Sequence, residues 1–324
     1  MKLCLDSIKN TNFKNYKIII ADDSSTDKSS EFIKQNYPNV DFVVNTPNGG
    51  YAQNMNNAII YSIKKYDPNF FMCINNDIII KDRSWLKELI DVADSNKNVG
   101  IIGCQLLYPN GVINNAGEIK DVGNSVHNIR GRGEIYRGKY DLIEEIGLVT
   151  GAAFLIKKDV FRKVGFLDEV FFMGSDDTDF ILRSRDKGYK IMYNGKVKLI
   201  HLDSFTSNNL KDEKLRLTTS LYCERGAIYF ILKWWKRYGV RHAIKLYMEH
   251  ILGVYVSITD KNTNKKGIKY VHFRYNVIKF NDFDLPLFKR LIFGIKAEAE
   301  GFYLYKSNYK KIKSKGFLFL KNPL

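Results

Sequence analysis

The chain has no run of 18 apolar residues, so no segment reads as a membrane-spanning helix. Its start, MKLCLDSIKN, lacks the apolar stretch of a secretory leader. Cysteine is scarce: Cys4, Cys73, Cys104 and Cys223 lie far apart, with neither zinc-site spacing nor a disulfide framework. Three of them fall in apolar patterns and read as buried thiols, which fits a reducing, cytoplasmic setting. No Gly-x-Gly-x-x-Gly follows an early strand pattern, which argues against a nicotinamide-dependent oxidoreductase. Acidic residues run short in one region only. From Phe205 onward there are 24 Lys+Arg against 9 Asp+Glu, a net of +15; taken from totals of 51 and 35, this leaves 27 against 26 before it. The C-terminal third therefore suits an anionic partner, or is simply a solvated, lysine-rich surface.

What is present is enough chain, 324 residues, to bury a large core in one domain or two. Residues 1 to 11 read as an amphipathic helix with Leu3, Leu5 and Ile8 apolar. Tyr16 to Ala21 (YKIIIA) has the continuous apolar pattern of a buried strand. A helix over Ser29 to Asn36 follows, then a strand at Val40 to Asn45 and a helix from Tyr51 to Tyr66. Strand character returns at Phe70 to Ile74, helix at Trp85 to Ala93, and strand again at Val99 to Leu107. The alternation predicts an α/β layer with a mainly parallel sheet flanked by helices. Tyr108 to Leu148 is glycine-rich and weakly periodic, the pattern of a functional loop or lid. Thr150 to Lys157 resumes a buried strand, with small residues that leave room for a close approach. A short helix over Asp159 to Val164 and strands at Tyr189 to Tyr193 and Val197 to His201 follow. Beyond Leu210 the pattern becomes helical and basic, with helices at Leu215 to Trp235, Val240 to Ile258 and Pro286 to Tyr305 and a polar linker at Asp260 to Lys269. A boundary is expected near residue 206.

Polar residues gather at strand ends: Asp22 and Asp23 after the first, Asn48 after the second, Asn75, Asn76 and Asp77 after the third, His201 after the last. Ligands of open α/β sheets bind at such ends. Asp77 suits a divalent cation that would neutralise a departing diphosphate, and His201 suits the same ion; Asn and Asp after a strand are also ordinary turn formers. Asp22, Asp23 and Asn48 can meet a nucleobase or ribose, or serve as turn and cap residues. In GSDDTDF, three carboxylates lead into an apolar turn. Asp179 alone is enough to cap a helix. Asp176 and Asp177 are then candidates for general-base work, since neighbouring negative charge raises a carboxylate's proton affinity. These acidic groups argue against nucleic-acid binding as the main role.

Taken in order, the segments IIIADDSSTDKS, NTPNGGYAQNMNNAI, FFMCINNDIII and GAAFLIKKDVFRKVGFLDEVFFMGSDDTDFILRSRDKGYKI resemble the family 2 glycosyltransferases, most closely the rhamnosyltransferase-like branch. HLDSFTS and YCERGAIYFILK extend the likeness. The resemblance implies a GT-A fold over residues 1–205 followed by a helical, basic region over 206–324. It implies inverting transfer of rhamnose or another hexose from a UDP- or dTDP-sugar to a glycan or lipid-linked acceptor, with Mn2+ or Mg2+ as cofactor. By motif, Asp177 is the base with Asp176 beside it; Asp22, Asp23, Asn48, Asn75 and Asn76 bind the nucleotide-sugar; Asp77 and His201 face the metal. Asn75 stands for the usual first acid of the metal motif and Asp176 for the usual Glu. The family's opening strand, of the type VSIIIVNYN, has no counterpart before Leu3. The chain thus reads as a truncated relative or as one whose true start lies upstream of Met1, and an inactive nucleotide-sugar-binding protein is the alternative. The basic tail is expected to lie against an anionic inner membrane face.

Overall fold

The computed structural model describes residues 1–118, 129–202, 213–239, 296–297 and 299–308. They fall into two compact units: Met1–Glu169 with the chain from Asp176 to the end of the last strand, and Val170–Ser175 with the described residues beyond 212.

The first unit runs α1 (Lys2–Lys9), β1 (Ile19–Asp22), α2 (Ser29–Asn36), β2 (Asp41–Val44), α3 (Gly50–Tyr66), β3 (Phe70–Ile74), β4 (Ile78–Ile80), α4 (Trp85–Asp94), β5 (Val99–Leu107), β6 (Ile113–Asn115), β7 (Ile143–Glu145), β8 (Ala153–Lys157), α5 (Lys158–Val164), α6 (Asp176–Asp186) and β9 (Lys190–His201). Strands β1 and β2 pair in parallel with each other, joined by the α2 crossover. The other seven form a sheet with the path β3-β8-β5-β9-β4, β6 joining β5 and β7 joining β9. Strand β5 is central and buried along nearly its whole length, as its unbroken apolar run predicts.

The fold class expected from the resemblance, GT-A with helices around a mixed sheet, stands, but its mainly parallel character needs correction. Only β1–β2 and β5–β9 are parallel among the described pairs; β3–β8, β8–β5, β5–β6, β4–β9 and β7–β9 are antiparallel. Parallel neighbours need a crossover long enough for a helix. The three residues between β3 and β4 cannot supply one, and β4 pairs with β9 instead. That short link also shapes the sheet. A flat arrangement would hold β3 and β4 about 19 Å apart across four inter-strand spacings. Four Cα steps reach at most about 15 Å. The sheet must curl so that its two ends approach above residues 75–77.

Two stretches depart from the sequence reading for identifiable reasons. The strands expected at 189–193 and 197–201 are one strand, β9, because Gly195 lets the chain pass under Tyr140, whose carbonyl oxygen lies 1.8 Å from where a Cβ would be. Gly195 N–H donates to Leu142 O at 2.8 Å. The described part of 108–148 is no loose lid either. It contributes β6 and β7, bridges Glu118 to Ile129 and Leu148, and buries Ile113, Ala116, Ile146 and Leu148. Its apolar residues are spaced for neither a helix nor a long strand, which hides the packing from periodicity. Residues 119–128 of that expectation lie outside the described residues.

One cluster of core side chains joins Ile78, Ile80, Trp85, Leu89, Ile102, Leu106, Leu155 and Leu199, with Ile8 of α1 packed against it. Leu5 of the same helix packs with Ile33 and Tyr37 beside β1 and β2. All four cysteines are free and buried; burial pushes the Cys4 thiol to about 11 and those of Cys73 and Cys104 to about 12.

In the second unit, α7 (Glu213–Tyr238) is the long helix expected at 215–235. Phe172 stacks on Tyr222 with ring centres 4.0 Å apart, and Phe171 meets Tyr229 edge-on at 5.0 Å. The helical stretch at 299–308 closes on α7 at Gly301, where an added Cβ would lie 2.5 Å from Ile228. The helix expected at 240–258, the linker and residues 286–295 of the last expected helix lie outside the described residues. Among those described, no helix is long and apolar enough to cross a membrane.

Candidate active site

Strand register brings the sequence clusters together. Strand β3 aligns Ile74 with Ala153 of β8, and Asn75 N–H donates to Ala152 O at 2.9 Å. Strand β4 aligns Ile78 with His201 of β9, and Leu202 N–H donates to Asp77 O at 3.0 Å. The link 75–77 therefore touches the start of β8 at one end and the end of β9 at the other. A tight turn, Ile78 N–H to Asn75 O at 3.2 Å, fixes it. No side-chain hydrogen bond is shown for Asn75 or Asn76.

Asp77 and His201 face each other, Oδ1 to Nε2, at 3.3 Å. Burial opposes ionisation of Asp77, but the neighbouring His201 imidazole outweighs it and holds the carboxyl below its usual range. Oδ1 is buried and makes no well-aligned hydrogen bond, so the contact is an ion-pair distance rather than a formed bond. The other ring nitrogen, Nδ1, lies 3.4 Å from Asn114 Oδ1, a pure acceptor. In the tautomer that donates from Nδ1, the Nε2 lone pair faces a carboxylate oxygen. Two inward-facing acceptors at that spacing suit a shared cation. Among the described residues no three His, Cys, Asp or Glu side chains gather as a metal cage. Among the described residues Asp77 and His201 thus offer two donors.

The carboxylate of Asp177 is held on both sides. Oδ2 accepts from Gly151 N–H at 2.8 Å and Oδ1 from Thr178 N–H at 2.7 Å. Gly151 is required here: a Cβ would sit 2.8 Å from both Cβ and Oδ2 of Asp177. Asp176 opens α6 and is buried. Directly before it, Gly174 and Ser175 both adopt positive φ, +77° and +68°; a buried serine there is a strained turn that sets where α6 begins. Asp179, an acid of the first turn of α6 as expected, also has a partner that the sequence does not announce. It pairs with Arg183 at 2.8 Å in the interior, and Arg183 also donates to Val164 O and Phe166 O.

At the other cluster, Asp22 ends β1, largely buried, with Oδ2 accepting from Ser25 N–H at 3.3 Å and Ser30 Oγ at 3.2 Å. Asp23 accepts from Gly49 N–H at 2.9 Å and Gly50 N–H at 2.8 Å, and Asn48 Nδ2 donates to its carbonyl at 2.8 Å. Both Asp23 oxygens thus brace the 45–50 loop, whose Thr46–Pro47 peptide is cis. Three further residues emerge that the clusters do not announce. Tyr51 hydroxyl donates to Gly151 O at 3.0 Å. Asn56, buried in α3, exchanges two hydrogen bonds with the backbone of Leu167. Asn114 backs His201. Only Tyr51 carried a usable signal, its place directly after Asn48-Gly49-Gly50.

Comparison with known proteins gives this geometry a family. Part of the chain is 28% identical over 149 residues to the O-antigen biosynthesis protein RfbC of Myxococcus xanthus, 44% of this chain and 12% of that protein. It is 24% identical over 201 residues to the N-acetylglucosaminyl-diphospho-decaprenol L-rhamnosyltransferase of Mycobacterium tuberculosis, 57% of this chain and 66% of that one. The chain therefore spans only part of these relatives. Among solved structures, GalNAc-T7 with UDP, GalNAc and Mn2+ superposes with a TM-score of 0.50 at 11% identity, over 97% of this chain and 54% of that one, a likeness of fold. Residues 1–165, just over half of the 324, match the description "Glycosyl transferase family 2", and the chain belongs to that family.

Proposed function

We propose that the chain transfers a hexosyl group, rhamnose or a related sugar, from a UDP- or dTDP-sugar to a hydroxyl of a glycan or lipid-linked acceptor, with inversion. The observation that carries this is Asp177, clamped between Gly151 N–H and Thr178 N–H beside the β3 and β8 ends where the 75–77 link begins. In this reading Asp177 takes the proton of the acceptor hydroxyl. The freed oxygen forms a bond to the anomeric carbon, and the bond from that carbon to the nucleoside diphosphate breaks, its electron pair leaving with the phosphate. One displacement at one face inverts the centre. Asp176 keeps a second negative charge beside the base. Asp22 and Asn48 meet the base or ribose, Asp23 shapes their loop, and Asn75 and Asn76 line the approach of the diphosphate. Asp77 and His201 would hold Mn2+ or Mg2+, which supplies positive charge for the departing diphosphate.

Asp177→Asn protein, assayed for transfer against wild type, tests the assignment. Loss of about 10²–10⁴-fold in kcat is expected for a general base; undiminished transfer would remove Asp177 from that role.

One observation favours a second reading, a protein that binds nucleotide-sugars without turning them over: among the described residues, β1 and β2 pair only with each other and not with the catalytic sheet. Calorimetry with UDP- and dTDP-sugars plus Mn2+ separates the two, since binding without transfer or hydrolysis supports the second. The +15 charge beyond residue 204 supports a cytoplasmic enzyme held peripherally on an anionic membrane face, where a lipid-linked acceptor would lie. Co-sedimentation of the whole chain with anionic and with neutral vesicles tests this; equal recovery with both counts against it.

A further inference from the structure

Gly151 occupies a position with a conflict built into it. The close approach of Asp177 excludes any side chain, since even a Cβ would lie 2.8 Å from the carboxylate. Glycine has the least restricted backbone of any residue, so sterics alone do not hold its N–H in one direction. Yet that N–H, at 2.8 Å from Oδ2, is one of the two groups that aim Asp177. An outside anchor is needed, and the structure supplies one just across the glycine Cα, on the peptide that follows: Tyr51 hydroxyl donates to Gly151 O at 3.0 Å, and the Ala152 N–H of that same peptide donates to Thr150 Oγ1 at 3.2 Å. The phenol remains a donor at any working pH, because burial, and then the charges of Cys73, Asp176 and Asp177, push its ionisation well above the ordinary range.

Tyr51 is also tied to the other side of the site. It directly follows Gly49 and Gly50, whose N–H groups hold the two oxygens of Asp23. One turn of helix thus grips the strand-end aspartate with its backbone and the Asp177 anchor with a side chain. We propose that Tyr51 is a positioning residue that pins the Gly151–Ala152 peptide, so that the glycine cannot turn its own N–H away from the Asp177 carboxylate, and that it links base placement to the 45–50 loop. The functional half of this rests on the reading of Asp177 as base.

Tyr51→Phe removes the hydroxyl and keeps the ring. Two readouts on the full chain separate the claims. In amide hydrogen exchange, the Gly151 N–H is expected to exchange roughly tenfold faster in the variant, the scale of losing one hydrogen bond, with Gly49 and Gly50 unchanged. In transfer assays, with whichever of UDP-glucose and dTDP-rhamnose the wild type turns over, kcat is expected to fall about tenfold while donor KM stays within about twofold. In a Gly151→Ala background, where the carboxylate is already displaced, Tyr51→Phe should add little, because two changes acting through one group are not additive. Unchanged Gly151 exchange overturns the anchor. Unchanged kcat, a loss confined to KM, or full additivity with Gly151→Ala overturns the positioning role. Active Asp177→Asn protein sinks the base reading and the functional half with it, while the exchange result still decides the anchor.

Discussion

Gly151→Ala is the sharpest single test of the site. The new methyl would sit 2.8 Å from both Cβ and Oδ2 of Asp177, closer than Cβ contacts in real proteins. The glycine lies at the entry to β8, where Asn75 N–H bonds the next carbonyl, Ala152 O, so the ladder resists moving the backbone aside. Because Asp177 Cβ moves only with its own backbone, the start of α6 must shift, and the carboxylate loses the 2.8 Å bond from the Gly151 amide. A hydrogen bond to a charged group is worth about 1.5–3 kcal/mol. If that aim is needed only when the proton is taken, the loss appears in kcat, at about tenfold per 1.4 kcal/mol, or roughly 10–150-fold. Donor KM should hold, because the Asp23 brace and the 45–50 loop do not touch the new methyl. Steady-state transfer kinetics, with a thermal melt to show that the variant is folded, measure both. A folded variant whose kcat lies within about twofold of wild type would show that the Gly151–Asp177 contact does not serve catalysis.

Other changes reach different layers of the structure. His201→Ala should weaken Mn2+-dependent binding of UDP or dTDP by calorimetry at least about tenfold, since it removes one of the two donors of the candidate cation site; equal affinity would separate the cation from His201. Arg183→Met strands Asp179 in the interior, where the pair is 2% and 0% exposed, and abandons the Val164 and Phe166 carbonyls. The expected cost is about 3–5 kcal/mol, a drop of roughly 6–20 °C in the thermal midpoint, and a drop under about 2 °C would refute it. For Asp41, burial opposes ionisation, but hydrogen bonds from Lys65 and Tyr66 outweigh it and lower its pKa. A lowered folded-state value means stability present above the unfolded value of about 3.9 and lost as pH falls through the folded one. The midpoint gap between wild type and Asp41→Asn should therefore be open at pH 7 and close below about pH 4; a gap that widens in acid would reverse the sign.

Much of this was legible in the residues. Apolar runs located β3, β5 and β8 because buried strands need unbroken hydrophobicity, and strand-end polar residues marked where a ligand would bind. The joining of those marks was not legible. Nothing in FFMCINNDIII says that Ile78–Ile80 will cross to β9, because pairing partners are set by tertiary register rather than local pattern. That register puts Asp77 against His201, 124 positions later in the chain. The pairing of Asp179 was hidden for a related reason. An acid in a first turn satisfies the dipole argument on its own, and only the structure shows Arg183 four residues on, turned inward to meet it. The 108–148 stretch misled because its buried residues serve short, irregular β segments.

Helix α3 explains how two separately paired sheets can serve one site. It carries Asn54, Asn56 and Asn57 within four positions, each costing up to about 0.7 kcal/mol of helix propensity relative to Ala. An amide side chain offsets this by donating and accepting at once. Asn54 donates to Ala21 O at 3.2 Å on the edge of β1 away from β2, while its oxygen and Asn57 both engage Asn45 at the end of β2. Asn56 turns the other way, to Leu167 and Glu169, where the chain heads toward Asp176. Tyr51 does the same at Gly151. A helix optimised for propensity would hold neither side. In the described residues these polar contacts, together with α1, whose Ile8 and Leu5 pack on the two cores, tie β1 and β2 to the sheet beside Asp77 and Asp177 without a continuous strand ladder. A donor bound at Asp22 and Asn48 would therefore be located relative to Asp177 in part by the α3 asparagines, through the contacts they make on either side.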